Sequence, residues 1–303
     1  MKKHLIAAGL VAAFAAPAMA QNVSVYGIID TAIVNTDTDG AASTNKLVNS
    51  AVASERLGFK GEEDLGGGMK AFFRLEQSIG VANGTQNTAF NRGSEVGLSG
   101  AFGSIKVGKF DISGAENVDS AVSQMGNVGL FSNDIGSDVD HSIQYSNKIG
   151  GVSFQLGHSM GDGNGSGDIT SVFFDTTVGG VMVQAGYTTQ EAAAGDNTQT
   201  ALGLKANAGP ATVGLGYSKR DNATGSDTTQ TILSASMPVG GGLKAMALIG
   251  KYKETAKNDA DEWAVGVMKD LSKRTSVYAA YNSNTSASDV ETKAMLMGVI
   301  HKF

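Results

Sequence analysis

Arg56 and Lys60 stand four residues apart with Leu57 and Phe59 between them, so in an extended strand the two bases share one face and the two apolar side chains the other. A cationic face backed by an apolar one can attract and orient anions in water while its reverse rests on hydrocarbon. Arg92 is a further base, but it has the parity of Val96 and Leu98, so only a bulge or a position beyond the lipid belt would aim it the same way. Arg74 and Lys109 are further candidates for such a wall. Opposite charge gathers in one long segment, Phe110 to Ser137, where Asp111, Glu116, Asp119 and Asp134, followed by Asp138, lie among little aliphatic bulk. A connection of that length with no secondary structure of its own is usually functional. Acids set against bases across a narrow gap create a transverse field, which orients polar solutes and holds back apolar ones. That chemistry is non-covalent.

Catalysis has little to work with. Beyond the first twenty residues the histidines are His141, His158 and His301, and no nucleophile motif accompanies any of them. No enzyme is expected. Asp162, Asn164, Ser166, Gly167 and Asp168 fall at the early ligand spacing of a calcium loop. The twelfth position, which should be a bidentate Glu, is Phe173, so a Gly-rich external loop is the better reading. The methionines read as lipid-facing filler, and neither cofactor nor metal is implied.

These charged sets need an element to hold them, and the pattern is strand throughout. Val25, Ile29 and Ile33 alternate with Ser24, Tyr26, Ile28 and Asp30; Val213, Leu215 and Tyr217 alternate with Thr212, Gly214, Gly216 and Ser218; Trp263, Val265 and Val267 alternate with Glu262, Ala264 and Gly266. One face suits hydrocarbon, the other water. Leu243 to Tyr252 is apolar on both faces and gives no orientation. Tight turns at 64–68, 101–103, 148–151, 178–180, 208–210, 240–242 and 270–272 alternate with longer polar loops near 36–52, 79–89, 110–138, 161–168, 191–198, 220–227, 253–260 and 284–289. Seven turns and eight loops connect sixteen strands, so the expected fold is all-β: a 16-stranded antiparallel transmembrane β-barrel, wide enough for an aqueous channel. The segment Ala294 to Phe303 reads as the closing strand, with Met295, Met297, Val299, His301 and Phe303 on one face.

The remaining features agree with passage across a membrane. Lys2 and Lys3, an apolar run from Leu5 to Ala16, and Ala18-Met19-Ala20 form an export signal, which leaves a mature barrel over 21–303. Removing two of 23 bases leaves 21 against 29 acids, a net charge of −8 that excludes a nucleic-acid-binding face. Charged residues are only 17% of the chain, Gly is abundant at 41 and Cys is absent. Low charge suits an outward belt facing lipid, and a chain without thiols cannot mispair in an oxidising compartment.

Ser54-Glu55-Arg56-Leu57-Gly58-Phe59-Lys60-Gly61-Glu62-Glu63-Asp64-Leu65-Gly66-Gly67-Gly68 closely resembles the general bacterial porins of beta-proteobacterial and neisserial type. Val25-Tyr26-Gly27-Ile28-Ile29-Asp30, Phe90-Asn91-Arg92, Val96-Gly97-Leu98-Ser99-Gly100, Phe102 to Lys109 and His301-Lys302-Phe303 extend the match along the mature chain. The resemblance implies a trimeric outer-membrane porin that passes small hydrophilic solutes and ions by diffusion, among lipid and lipopolysaccharide. It implies that the third loop folds into the barrel, that Arg56 and Arg92 are eyelet arginines facing Asp111, Glu116 and Asp119, and that the loop from Val81 to Ala89 reaches a neighbouring subunit. At Gln144 the family commonly carries an arginine, so a weaker anion preference is expected here. A solute-specific channel and a non-conducting structural or adhesive barrel stay open as alternatives on the same scaffold.

Overall fold

The computed structural model describes residues 23–86, 88–128, 134–161, 167–255 and 257–303. The expected export signal over residues 1–20, and Asp162, Asn164 and Ser166 of the calcium-like spacing, lie outside them. Among the described residues no helix is long and apolar enough to cross a membrane, which says nothing about a barrel that crosses with strands.

The chain forms one closed antiparallel sheet. Its segments are β1 (Ser24–Thr38), β2 (Thr44–Asn49), β3 (Arg56–Gly66), β4 (Met69–Gly80), β5 (Thr85–Gln86), β6 (Gly93–Gly100), β7 (Gly103–Phe110), β8 (Val139–Ile149) and β9 (Val152–Ser159). They continue as β10 (Ile169–Val178), β11 (Val181–Gln190), β12 (Asn197–Ala208), β13 (Ala211–Asp221), β14 (Thr228–Gly240), β15 (Leu243–Glu254), β16 (Ala260–Asp270), β17 (Thr275–Thr285) and β18 (Glu291–Lys302). β5 is a two-residue extension of a loop, and β2 and β3 are two halves of one barrel strand. Both halves pair with β1, β2 at Thr31–Thr36 and β3 at Ser24–Ile28. The barrel therefore has sixteen staves.

The break between β2 and β3 lies in a stretch that the sequence reads as loop. Its amides are satisfied by side chains in place of a neighbouring strand, since an orphaned buried amide is costly. The buried Asp30 carboxylate accepts from Val52 N–H (2.6 Å), Ala53 N–H (2.5 Å) and the Tyr278 hydroxyl (2.5 Å). Glu55, also buried, accepts from the amides of Asp30 (3.0 Å) and Val81 (3.1 Å).

Closure joins β18 to β1 along Ile28↔Lys302 to Thr38↔Thr292. Gly27 and Phe303 exchange both backbone hydrogen bonds at 3.1 Å. The Phe303 ring lies over Gly27, where any Cβ would overlap it and also meet Arg56 O at 2.6 Å. Period-2 burial follows the expected faces. Val25, Ile33, Leu202, Leu215, Ile249, Val265 and Met297 are exposed outward, and Asp30, Gln184, Ser218, Ser234 and Gln144 are buried on the other side. The segment that gave no orientation resolves in the same way, with Ile249 outward and Met246 and Leu248 inward.

The long segment after β7 is not devoid of structure. Gly114–Val122 is a helix, α1, whose N-cap Ser113 accepts from Glu116 N–H at 3.1 Å. Ser113-x-x-Glu116 is a capping-box spacing, so the helix start was readable in the sequence. α1 packs against the inward faces of β11, β12 and β13 through glycines. A Cβ on Gly186 would stand 2.7 Å from Gly114 Cα, and one on Gly203 would stand 2.9 Å from Val118 Cγ1. At the last residue of α1, Val122 O accepts from Ser234 Oγ (2.6 Å), and beyond it Asn127 N–H donates to Val52 O (2.9 Å) at the β2–β3 break. These contacts lie on the face opposite the apolar exterior. Val118, Val122 and Met125 are buried there, which explains why Met246 and Leu248 can face inward: the loop covers them.

Candidate functional site

Register across β3, β4, β6 and β7 builds a ladder of charge on the inner face. Lys60 pairs with Arg74, Arg74 with Glu95, and Gly97 with Lys106, so the two-residue period of each strand brings these side chains to one side. Glu76 is the hub of the ladder. Its carboxylate accepts from Arg92 Nε at 3.0 Å and from the Tyr26 hydroxyl at 2.8 Å, with Arg56 and Arg74 guanidinium nitrogens each at 3.8 Å. Glu95 takes Arg74 Nε and Lys106 Nζ, both at 2.9 Å, and the Lys106 ammonium stands 3.9 Å from the centre of the Phe110 ring. Four bases thus alternate with two acids whose side chains are almost fully covered.

Arg92 joins this set from outside its strand. It precedes β6, its amide donates to Glu76 O (3.1 Å), and its guanidinium turns in to Glu76. The position beyond the strand resolves the parity conflict. Lys60 lies further along β3 with its ammonium 5.1 Å from the Tyr26 ring centre. Lys109 sits at the root of the long loop and donates to the Asp138 carbonyl. Gln144 is inward on β8, registered opposite Lys106, and donates to Gln155 Oε1 at 3.2 Å.

The loop acids stand apart from this ladder. Glu116 accepts from Ser137 Oγ, Asp111 accepts from Ser113 N–H (2.6 Å), and Asp134 accepts from Gln199 Nε2 (3.2 Å). Among the described residues no ion pair joins a loop acid to Arg56, Arg74, Arg92 or Lys106. Burial raises the four loop aspartates. It pushes the Asp119 carboxyl up to about 8, with the Asp134 and Glu116 charges adding to it. Asp111 rises to about 8 by burial and by the Glu116 charge, and Asp134 to about 6 by burial and the same neighbour. Asp138 is raised by burial, with Arg92 and Lys109 opposing.

Glu76, Glu95, Lys106 and Tyr26 were not singled out from sequence. The signal was the same alternation that placed Arg56: Glu76 is two residues from Arg74, Glu95 is opposite in parity to Val96, and Lys106 is opposite to Ile105 and Val107. Among the described residues no three His, Cys, Asp or Glu side chains are arranged to hold a metal ion.

A closed sixteen-stave barrel with an apolar exterior, a polar inner face and a loop laid along that face is a channel architecture. The sequence profile of the Gram-negative porin family matches residues 7–288. This chain belongs to the Gram-negative porins. It is 29% identical to outer membrane porin protein 32 of Delftia acidovorans, over 97% of this chain and 93% of that protein. It is 43% identical to the major outer membrane protein P.IB of Neisseria gonorrhoeae over a shorter stretch, 37% of this chain and 32% of that one. The solved anion-selective porin from Comamonas acidovorans superposes with a TM-score of 0.80 at 26% identity, covering 93% of this chain and 100% of that one. The porin is an outer-membrane β-barrel that forms a water-filled channel for diffusion of ions and small hydrophilic solutes.

Proposed function

We propose that the narrow part of this porin is an eyelet between the ladder of Arg56, Arg74, Arg92 and Lys106 and the loop acids Asp111, Glu116 and Asp119. Lys60 and Gln144 extend the wall along the pore, and Lys109 pins the loop root. One observation carries the reading: Glu76 and Glu95 are interleaved with the four bases, so the wall holds a net +2 instead of +4. Combined with Gln144 beside Lys106, this supports a weak anion preference and passive diffusion, with no bound solute and no catalytic step. The chain is read as a mature barrel over 21–303 after loss of an export signal.

A homotrimer is the proposed assembly. An apolar trough of about 620 Å³ on the outer surface, lined by Ile33, Leu47, Ala279, Met297 and Val299, supports close contact between barrels there. Lipopolysaccharide is the proposed outer-leaflet neighbour. Lys251 and Lys253 stand at the loop end of a second outer crevice, next to Ile249 and Trp263, where a headgroup phosphate would compete with the Asp259 carboxylate that pairs with both. Planar-bilayer recordings under a salt gradient test the eyelet. The wild-type channel should reverse near zero, and Gln144→Arg should shift the reversal potential toward chloride. Strong anion selectivity in the wild type, or no shift in Gln144→Arg, would refute it.

A further inference from the structure

The inner face carries a second group of bases, away from the eyelet, at the end of the barrel that bears the short turns. Lys244 on β15 and Lys302 on β18 have the inward parity of Met246 and Ile300, while Met297 and Val299 face outward. Lys273 and Arg274 lie in the turn between β16 and β17, and Arg274 O accepts from Lys302 N–H at 2.8 Å, which fixes that turn against the end of β18. All four side chains line one cavity of about 500 Å³, roofed by Ser123, Gln124 and Gly126 of the long loop. One acid, Asp270, shares the lining, and its carboxylate accepts from Ser276 Oγ at 2.6 Å. The contrast with the eyelet is in pairing. There each base has a carboxylate within 4 Å; here, among the described residues, none of the four bases forms an ion pair.

Four like charges converging on one cavity repel one another, and with a single acid nearby their counter-charge must come from solution. The attraction of such a cavity scales with the charge of the anion, so a compact dianion is gathered far more strongly than chloride. Ser276 Oγ is held by Asp270 and the Gln124 amide by the Val122 and Ser123 carbonyls, so the attraction rests on the charge of the four bases.

We propose that this turn-side vestibule is an anion-collecting site for compact dianions of the phosphate type, distinct from the eyelet and independent of its residues. Because it lies at one end of the channel, its effect is sided. The test is block of chloride current through the reconstituted porin by inorganic phosphate near pH 8, added to one chamber at a time at constant ionic strength. Half-block from one chamber should need at least about fivefold less phosphate than from the other. Lys244→Gln combined with Lys302→Gln should abolish that difference while leaving the phosphate-free conductance largely intact. Lys273→Gln combined with Arg274→Gln changes only a turn and guards against a folding defect in the first pair; it should reduce the difference as well. Equal block from both chambers, or a sided block that survives in both double variants, would overturn the proposal.

Discussion

Replacing Glu76 by Gln is the sharpest perturbation of the eyelet, because it removes one charge from the hub of the ladder and keeps one oxygen to accept from Arg92, while the amide nitrogen can donate to the Tyr26 hydroxyl. The three guanidinium groups around Glu76, at 3.0, 3.8 and 3.8 Å, then lose the countercharge nearest to all of them. A unit charge about 7 Å from a permeating ion in water interacts with it by about 0.6 kcal/mol, and a Debye length of about 10 Å at 0.1 M salt halves that. Anions gain and cations lose the same amount, so the permeability ratio should move toward chloride by roughly three- to sevenfold. Under a tenfold potassium chloride gradient, starting near unit selectivity, that is a shift of about 20 mV or more in reversal potential. The same variant in 1 M salt, where screening acts within about 3 Å, should show much less. An unchanged reversal potential at low salt, in a barrel that keeps its β circular dichroism, would show that ions pass too far from this wall to sense it.

Other expectations follow from the loop and the strand break. The Asp119 carboxyl, held at about 8 by burial, is charged only above that pH, so falling pH neutralises the acid side. Anion preference should therefore rise as pH drops from 9 to 7, and Asp119→Asn should flatten the change; a profile unaffected by the substitution would assign it elsewhere. The same raised value means the docked loop binds protons that a freed loop would release, so docking is strongest at low pH and weakens as pH rises toward 8. Gly186→Val places side-chain atoms where Gly114 now sits, 2.7 Å from the Cβ position, and should lift α1, enlarge single-channel conductance and expose the loop to protease. Wild-type conductance in that variant would mean that α1 does not narrow the path. Asp30→Ala leaves the amides of Val52 and Ala53 and the Tyr278 hydroxyl without their acceptor, at about 1–3 kcal/mol each. Its melting temperature in detergent should fall clearly, with Asp30→Asn intermediate.

Much of the barrel was legible because a membrane enforces period-2 alternation more strictly than water does. The sixteen staves, the seven tight turns and the inward pair Arg56 and Lys60 all follow from which residues hydrocarbon tolerates. Where the signal failed, the face in question met neither lipid nor water. Leu243 to Tyr252 reads as apolar on both sides because its inward residues Met246 and Leu248 lie under the long loop, so a protein surface replaced the aqueous one. The β2–β3 break was hidden for a related reason. Its Val52 and Ala53 amides go to the Asp30 carboxylate, while Glu55 takes the amide of Asp30, and nothing in local pattern says that a carboxylate will stand in for a strand.

The eyelet shows why charge type alone misleads about selectivity. Counting bases would give Arg56, Arg74, Arg92 and Lys106 and a strongly anionic preference. The fold instead sets Glu76 or Glu95 within 4 Å of each of them. A like-charged ladder in a confined pore must be neutralised by something, either fixed carboxylates or mobile ions. On the wall the chain supplies the carboxylates itself, and the proposed eyelet is for that reason weakly charged. Toward the turn side, Lys244, Lys273, Arg274 and Lys302 form no ion pair among the described residues, so under the proposal the neutralising charge there is a dissolved anion. The two groups of bases are thus opposite answers to the same repulsion, and sided block by phosphate distinguishes them.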